Sequence, residues 1–109
     1  MSVFDSYLLP AEKKLRRRIE IDNTLYNKLS ELVKNYDDAS VNKLVNIAII
    51  ELIKNENINI YRRQEYEIAE GHNFEIRASS YHKLEDLRAK YGLSIFKLVN
   101  IAIYNAINS

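Results

Sequence analysis

This chain contains no cysteine and no tryptophan, and it has only one proline and two glycines among its 109 residues. Without cysteine it can form neither a disulfide nor a thiolate metal site, and it has no cysteine nucleophile. The scarcity of proline and glycine favours long, uninterrupted helices, because these two residues are the least favourable in a helix interior. Together these absences favour a helical protein of a reducing, intracellular compartment.

A strong net charge and a long apolar run are also missing. The formal net charge is only +1 at pH 7, so bulk electrostatics do not indicate a nucleic-acid partner, and any such case depends on local clusters. No apolar stretch approaches the roughly 20 residues that a membrane-spanning helix needs, so we predict no membrane partner. A hydrophobic content of 47% and a charged content of 28% are typical of a folded domain.

The most informative positive feature is a seven-residue string that occurs twice without change. Lys-Leu-Val-Asn-Ile-Ala-Ile spans residues 43–49 and again residues 97–103. Weaker similarity extends upstream, where residues 19–21 correspond to residues 74–76. This internal repeat, with one extra residue in the first copy between the two matches, predicts one small unit written twice. Because a unit of half this length would bury too little surface alone, we expect the two copies to share one core.

Each copy is predicted to begin with a strand whose apolar and polar residues alternate, which is typical of a half-buried strand. The inward positions are Ile19, Ile21, Phe74 and Ile76, and the outward positions are Arg16, Arg18, Glu20, Asn73, Glu75 and Arg77. A lone strand leaves its backbone groups unpaired. The two strands are therefore expected to pair as an antiparallel ribbon with four helices beneath it.

Two helices follow the strand in each copy, and the second helix is apolar on more than one side, which predicts burial at the centre of the shared core. Candidate N-caps of the first helices are Asp22 or Thr24 and Ser79 or Ser80, and those of the second helices are Ser40 and Ser94. Gly92 suits the left-handed position that ends a helix.

The predicted fold class is mostly α with a two-stranded antiparallel β-ribbon. The predicted division is an N-terminal arm at 1–14, a first repeat at 15–54, a linker at 55–71 and a second repeat at 72–109. The end of the arm and the start of the first repeat form a basic cluster, Lys13 to Arg18. Contact with nucleic-acid phosphates is expected of it, and a solvated basic strand start is the alternative. The apolar residues of the arm are expected to dock on the core or on another molecule; they are Phe4, Tyr7, Leu8 and Leu9.

A short strand, a helix, a turn and a second helix that begins at serine resemble the ribbon-helix-helix (MetJ/Arc) superfamily of DNA-binding repressors. The residues that carry the resemblance are Arg16-Arg17-Arg18-Ile19-Glu20-Ile21 with Ser40-Val41-Asn42, and Asn73-Phe74-Glu75-Ile76-Arg77 with Ser94-Ile95. Family members are usually homodimers of one unit, whereas this chain fuses two. The resemblance therefore implies a tandem ribbon-helix-helix protein that forms a single-chain pseudodimer, similar to small regulators of archaeal viruses.

The resemblance implies a sequence-specific regulator of transcription, most simply a repressor, whose ribbon enters the major groove of double-stranded DNA. The implied readers of base edges are Arg16, Arg18, Glu20, Asn73, Glu75 and Arg77. Backbone N–H groups at the helix starts Ser40-Val41 and Ser94-Ile95 are implied to contact phosphates. Because the two strands differ, we do not expect a perfect palindrome as the site. Because one ribbon reads few base pairs, we expect self-association on DNA.

Some of these residues have a structural role as the alternative. The negative charges of Glu20 and Glu75 would be repelled by DNA phosphates, so in a DNA-binding role they need base partners or neighbouring arginines. The alternative interpretation is that they only make the surface soluble. Asn46 and Asn100 are interpreted as tolerated polar positions or as a pair hydrogen-bonded to each other. The two histidines, His72 and His82, lack metal-ligand spacing, and we predict no metal and no cofactor.

A protein-interaction module, such as an antitoxin or a co-regulator, is the alternative function. Antitoxins of the family usually carry a long tail after the second helix, whereas the sequence ends at Ser109, so we expect the DNA-binding regulator instead. An enzyme is not expected, since no nucleophile–base set, glycine-rich phosphate loop or paired-carboxylate pocket is recognisable. No small-molecule substrate is predicted. The expected location is intracellular, which for a viral protein means the cytoplasm of the host cell.

Overall fold

The computed structural model describes Phe4, residues 11–58 and residues 61–109, and over these residues it contains four helices and one two-stranded sheet. The elements, in chain order, are β1 (Lys14–Asp22), α1 (Asn23–Val33), α2 (Val41–Asn55), β2 (Ala69–Arg77), α3 (Ala78–Tyr91) and α4 (Ile95–Ile107). The predicted helices and ribbon are therefore confirmed. β2 begins at Ala69, so the last three residues of the predicted linker belong to the strand.

The ribbon pairs β1 with β2 in an antiparallel register that sets Arg18 opposite Asn73. Four residues face the helices and are each at most 3% exposed: Ile19, Ile21, Phe74 and Ile76. Since successive side chains of a strand point to opposite faces, the intervening residues lie on the solvent face. The inward and outward faces are those that the alternating pattern predicts.

The helices α2 and α4 form the centre of the core. They contact each other, the helices α1 and α3, and the ribbon. Both copies of the repeated string supply buried residues, namely Leu44, Val45, Ile47, Ala48 and Ile49 in α2 and Leu98, Val99, Ile101, Ala102 and Ile103 in α4. Isoleucine and valine have a slightly lowered helix propensity, so burial rather than propensity stabilises these two helices.

One residue of the arm joins this core. Phe4 is 5% exposed and belongs to the buried cluster, which agrees with docking on the core. The other apolar residues of the arm lie outside the described residues; they are Tyr7, Leu8 and Leu9. In the part of the chain that the structure describes, no helix is both long enough and apolar enough to cross a membrane.

Serine caps begin α2 and α4, as predicted. The hydroxyl of Ser40 accepts a hydrogen bond from the backbone N–H of Lys43 at 3.1 Å, and Ser94 accepts one from Lys97 at 3.1 Å. Gly92 follows the last residue of α3 with a φ of 67°, which is the left-handed conformation expected there. These helix ends are determined by residues next to them in the sequence.

The start of α3 differs from the prediction. The helix begins at Ala78 with Arg77 at its N-cap position, so neither Ser79 nor Ser80 is the N-cap. Asp22 occupies the N-cap position of α1, but its side chain makes no capping hydrogen bond. Neither helix has a capping side chain at its N-cap residue. Instead, a carboxylate from a distant part of the chain accepts a hydrogen bond from the first turn of each helix.

These carboxylates belong to glutamates that precede the strands. Glu12 accepts hydrogen bonds from the backbone N–H and the hydroxyl of Ser79, at 2.9 Å and 2.8 Å. Glu67 accepts from the backbone N–H of Thr24 at 3.1 Å. The adjacent backbone bonds follow the same pattern, each 2.9 Å long, from Asn23 to Ile68 and from Ala78 to Lys13. Each strand entrance is thereby fixed to a helix of the other half of the chain.

Candidate nucleic-acid interface

The outer face of the ribbon brings five of the six predicted base readers onto one surface. Arg16, Arg18, Asn73 and Glu75 are exposed, and Glu20 is partly exposed. The register places this set along two adjacent strands without an intervening loop. The inner side chains of both strands are buried in the core, and this packing holds the backbone from which the outer side chains project.

The sixth predicted reader, Arg77, is the last residue of β2, and its side chain is held by an ion pair. Its side chain is only 11% exposed, and its Nη2 atom lies 2.8 Å from Oε2 of Glu12. Hydrogen bonds from the backbone N–H and the hydroxyl of Ser79 hold the pKa of Glu12 below its ordinary value, and Arg77 lowers it further. Arg77 is thus engaged at the end of the ribbon and holds Glu12 there.

Both glutamates of the outer face have an arginine beside them. Nη1 of Arg18 lies 3.5 Å from the carboxylate of Glu20, and Arg16 stands directly opposite Glu75 in the register. Exposed ion pairs contribute little to folding stability. Their effect here is on the surface charge, since each glutamate that would repel a phosphate has a cationic neighbour.

The first turns of α2 and α4 flank the two edges of the ribbon. Asn42, in the first turn of α2, donates to the carbonyl of Glu75 at 3.1 Å and accepts from its N–H at 2.8 Å. One groove lies at each helix start. The residues that line the first include Lys14, Ser40, Asn42 and Lys43, and those that line the second include Glu20, Arg63, Ser94, Phe96 and Lys97. Each helix start therefore presents a lysine beside the ribbon.

A buried asparagine in α2 holds the strand β2. The side-chain amide of Asn46 donates to the carbonyl of Glu75 at 2.9 Å, and its oxygen accepts from the N–H of Arg77 at 3.0 Å. A hydrogen bond to Asn100, one of the two interpretations of this position, is not formed, because both amide donors of Asn46 bond backbone carbonyls. A polar residue inside an otherwise apolar, repeated string is the sequence signal for this role.

The corresponding asparagine in α4 holds the strand β1. Asn100 donates to the carbonyl of Glu20 at 2.9 Å and accepts from the N–H of Asp22 at 2.8 Å. These bonds give partners to a carbonyl and an N–H of β1 at the ribbon edge that faces α4. The ribbon edges are thus joined to the helices whose starts flank them.

Two side chains of the linker, those of Tyr61 and Arg63, contact Asp22 at the end of β1. Asp22 is 3% exposed, its Oδ2 accepts a hydrogen bond from the hydroxyl of Tyr61, and its Oδ1 lies 2.9 Å from Nε of Arg63. Burial, and then the bond to Asp22, raise the pKa of Tyr61 above its ordinary value. No local pattern announces these contacts, because they join residues about 40 positions apart in the chain.

No histidine has a metal-site environment in the described part of the chain. His72 stacks on Tyr26 with 3.9 Å between ring centroids, and His82 lies 3.6 Å from Glu85. Among the residues described, no group of three or more acidic or histidine side chains could hold a metal ion.

Comparison with known proteins gives no relative. No protein-family model matches this chain, and neither a curated protein nor a solved structure matches it.

Proposed function

We propose that this protein is a tandem ribbon-helix-helix pseudodimer that binds double-stranded DNA in a sequence-specific way and regulates transcription, most simply as a repressor. The observation that carries the proposal is the outer face of the ribbon, where Arg16, Arg18 and Asn73 are exposed on paired strands. The major groove of B-DNA admits a two-stranded ribbon. The ribbon therefore has both the shape and the side chains that base readout needs.

The register of the ribbon supports the pseudodimer. Arg18 and Asn73 occupy corresponding positions of the two sequence copies, and they pair directly with each other. Such a pair is expected where a twofold axis relates two equivalent strands. The matching strand contacts of Asn46 and Asn100 support the same symmetry, as do the matching helix caps of Glu12 and Glu67.

The outer side chains have distinct base preferences. Arginine bonds guanine through two hydrogen bonds, asparagine bonds adenine in the same way, and glutamate accepts from the amino group of cytosine. The first strand supplies Arg16 and Arg18, whereas the second supplies Gly71 and Asn73 at the corresponding positions. The preferred DNA site is therefore asymmetric.

The helix starts supply the backbone contacts. The first N–H groups of a helix have no partner within the helix, and they favour an anion such as phosphate. Lys43 and Lys97 add a positive charge in the first turns of α2 and α4. With one helix start at each edge of the ribbon, both DNA backbones that border the groove can be held.

A second candidate is a protein-interaction module, and one observation favours it. Tyr66 is 83% exposed and Ile68 is 65% exposed in the segment that leads into β2. Large exposed apolar side chains close together are found at protein-binding surfaces. Replacing Tyr66 with Ser is expected to abolish capture of such a partner while leaving DNA binding unchanged.

A gel-shift titration tests the main proposal. The probe is the DNA upstream of the gene for this protein, the control is a random duplex of equal length, and both are measured at two salt concentrations. We expect tighter binding to the upstream DNA and an affinity that falls as salt rises, because bound phosphates release counterions. Equal binding to both duplexes, or no dependence on salt, rejects the proposal.

A further inference from the structure

Gly71 leaves space on the outer ribbon face, and the guanidinium group of Arg18 fills it. A Cβ atom at position 71 would lie 2.1 Å from both Cζ and Nη2 of Arg18. Gly71 stands opposite Glu20 in the register, and the carboxylate of Glu20 lies 3.5 Å from Nη1 of Arg18. Arg18 therefore extends diagonally across the ribbon, toward the end that carries Glu20, and away from its direct partner Asn73.

The opposite diagonal is occupied. There Arg18 would approach Glu75, which already stands opposite Arg16. In the aligned sequence copies, the first strand has Arg16 where the second has Gly71. Of the two diagonal neighbours of Arg18 on β2, Gly71 has no side chain, so the guanidinium of Arg18 can extend over Gly71. In the register, Arg16 lies nearer the opposite end of the ribbon from the one that Arg18 approaches.

We infer that Gly71 is a positioning residue, which aims Arg18 at one particular base step and so gives the protein a fixed orientation on an asymmetric DNA site. This inference rests on the proposed DNA-binding function. Gly71 itself touches no base. It acts by leaving open the space through which the guanidinium of Arg18 reaches its end of the ribbon.

The backbone does not require glycine at this position. Both glycines of the chain lie among the described residues, and of the two Gly92 has a positive φ whereas Gly71 does not. An L-residue can therefore replace Gly71 without backbone strain. Alanine is also more favourable than glycine in a strand interior, by roughly 0.5–1 kcal/mol. The group that a methyl would meet is the far end of a flexible side chain, so the arginine moves and the strand stays. Gly71→Ala thus separates positioning from folding.

The experiment begins with a selection of preferred duplexes from a random library by the wild-type protein. Affinities for the selected site and its single-base variants are then measured with Gly71→Ala, Arg18→Ala and the double variant. We expect Gly71→Ala to weaken binding by about 5-fold to 150-fold, the range for one lost bidentate guanine contact. The loss should fall on the base pair at which Arg18→Ala also loses discrimination.

The double variant is the matched control. If Gly71 acts through Arg18 alone, adding Gly71→Ala to Arg18→Ala changes neither affinity nor base preference. A further loss in that background overturns the inference. The thermal midpoint of Gly71→Ala is expected to equal or exceed that of the wild type; a lower midpoint means that glycine has a structural role and also contradicts it.

The two proposals fail in different ways. If the wild type selects no duplex, the proposed function fails and the aim at a base step fails with it. The NMR signal of the Arg18 Nε–H group in free protein then decides whether Gly71 sets the direction of the Arg18 side chain. That signal should shift in Gly71→Ala, and an unchanged signal rejects the positioning role. If the wild type selects a site and Gly71→Ala retains its affinity and base preference, DNA binding stands and the inference about Gly71 is wrong.

Discussion

Asn46 and Asn100 make matching hydrogen bonds to opposite strands of the ribbon. Asn46 donates to the carbonyl of Glu75, and Asn100 donates to the carbonyl of Glu20, each at 2.9 Å. Each asparagine also donates to the carbonyl four residues before it in its own helix. A buried amide whose donors are bonded is stabilising, and an unpaired one is costly. These two residues therefore connect the helical core to the ribbon through amide groups whose donors are all bonded.

Replacing Asn100 with Leu is expected to destabilise the fold. The variant keeps a side chain of similar size but leaves the carbonyl of Glu20 and the N–H of Asp22 without their partner. Each unsatisfied buried group costs about 1–3 kcal/mol, so we expect a loss in the free energy of unfolding of at least about 1 kcal/mol in urea denaturation. Asn27→Ala, at an exposed position of α1, should stay within about 0.5 kcal/mol of the wild type. Equal midpoints for both variants contradict the bridging role.

Replacing Ser40 or Ser94 with Asp separates capping from DNA binding. Aspartate caps a helix about as well as serine, so the free energy of unfolding should change by less than about 0.5 kcal/mol. The added charge would face a phosphate, and like charges in contact cost several kcal/mol, so DNA affinity should fall about tenfold or more. Ser→Ala at the same positions should instead lower stability by about 1 kcal/mol. Undiminished affinity of the Asp variants rules out phosphate contacts at the helix starts.

Replacing Arg16 with Ala should weaken binding to the preferred DNA by about 1–3 kcal/mol and relax the preference at one base pair. Arg16→Lys keeps the charge but cannot make the same two-pronged contact, so it should restore non-specific affinity and not discrimination. Arg88→Ala, at an exposed position of α3, removes an equal charge away from the ribbon as a control. If Arg16→Ala and Arg88→Ala behave alike in gel-shift titrations, the ribbon is not the reading element.

Replacing Glu12 with Gln should reduce the loss of stability in acid. The pKa of Glu12 is lowered in the folded state by Ser79 and Arg77. Its contribution is therefore present above the ordinary glutamate pKa of about 4.3, and it is lost as the pH falls through the lower folded value. Denaturation between about pH 6 and pH 3 should show a shallower decline for Glu12→Gln than for the wild type. Exposed Glu31→Gln should follow the wild type; a parallel decline for Glu12→Gln would disprove the cap.

Replacing Tyr61 with Phe should matter most below the ordinary tyrosine pKa of about 10. The pKa of Tyr61 is raised in the folded state. Its contribution to folding stability is therefore complete at neutral pH, and it is lost as the pH rises from the tyrosine pKa of the unfolded chain through the higher pKa of the folded protein. We expect Tyr61→Phe to cost about 1–2 kcal/mol at pH 7 and progressively less in alkaline solution. Tyr66→Phe, at an exposed position, is the control. A cost that does not change with pH contradicts the bond to Asp22.

Local patterns in the sequence predict much of the architecture. The alternation of Ile19 and Ile21 with charged residues predicts the buried face of the strand, because side chains of a strand point to the two faces in turn. Ser40 and Ser94 predict their own helix starts, since an N-cap acts on the backbone three residues ahead. Gly92 predicts its helix end for a comparable local reason. In all these cases the interacting groups are neighbours along the chain.

Contacts between distant parts of the chain escape such patterns. The cap of α3 comes from Glu12, 67 positions before Ser79, so the serines near the helix start mislead the sequence interpretation. The candidate interface shows the same limit, because Arg77 alternates with Asn73 and Glu75 along β2 and its guanidinium is held by Glu12. Neither pairing has a local signal, because hydrogen bonds of this kind depend only on where the folded backbone brings the groups.

By itself, the sequence determined which side chains face the core, where the serine-capped helices begin and that one string is used twice. The tertiary structure decided the register that sets Arg18 opposite Asn73, the strand contacts of Asn46 and Asn100, and the space above Gly71. The physical reason is the range of the interactions. Periodicity and capping act within one element, whereas register and buried polar pairs are settled only when separate elements meet in one core.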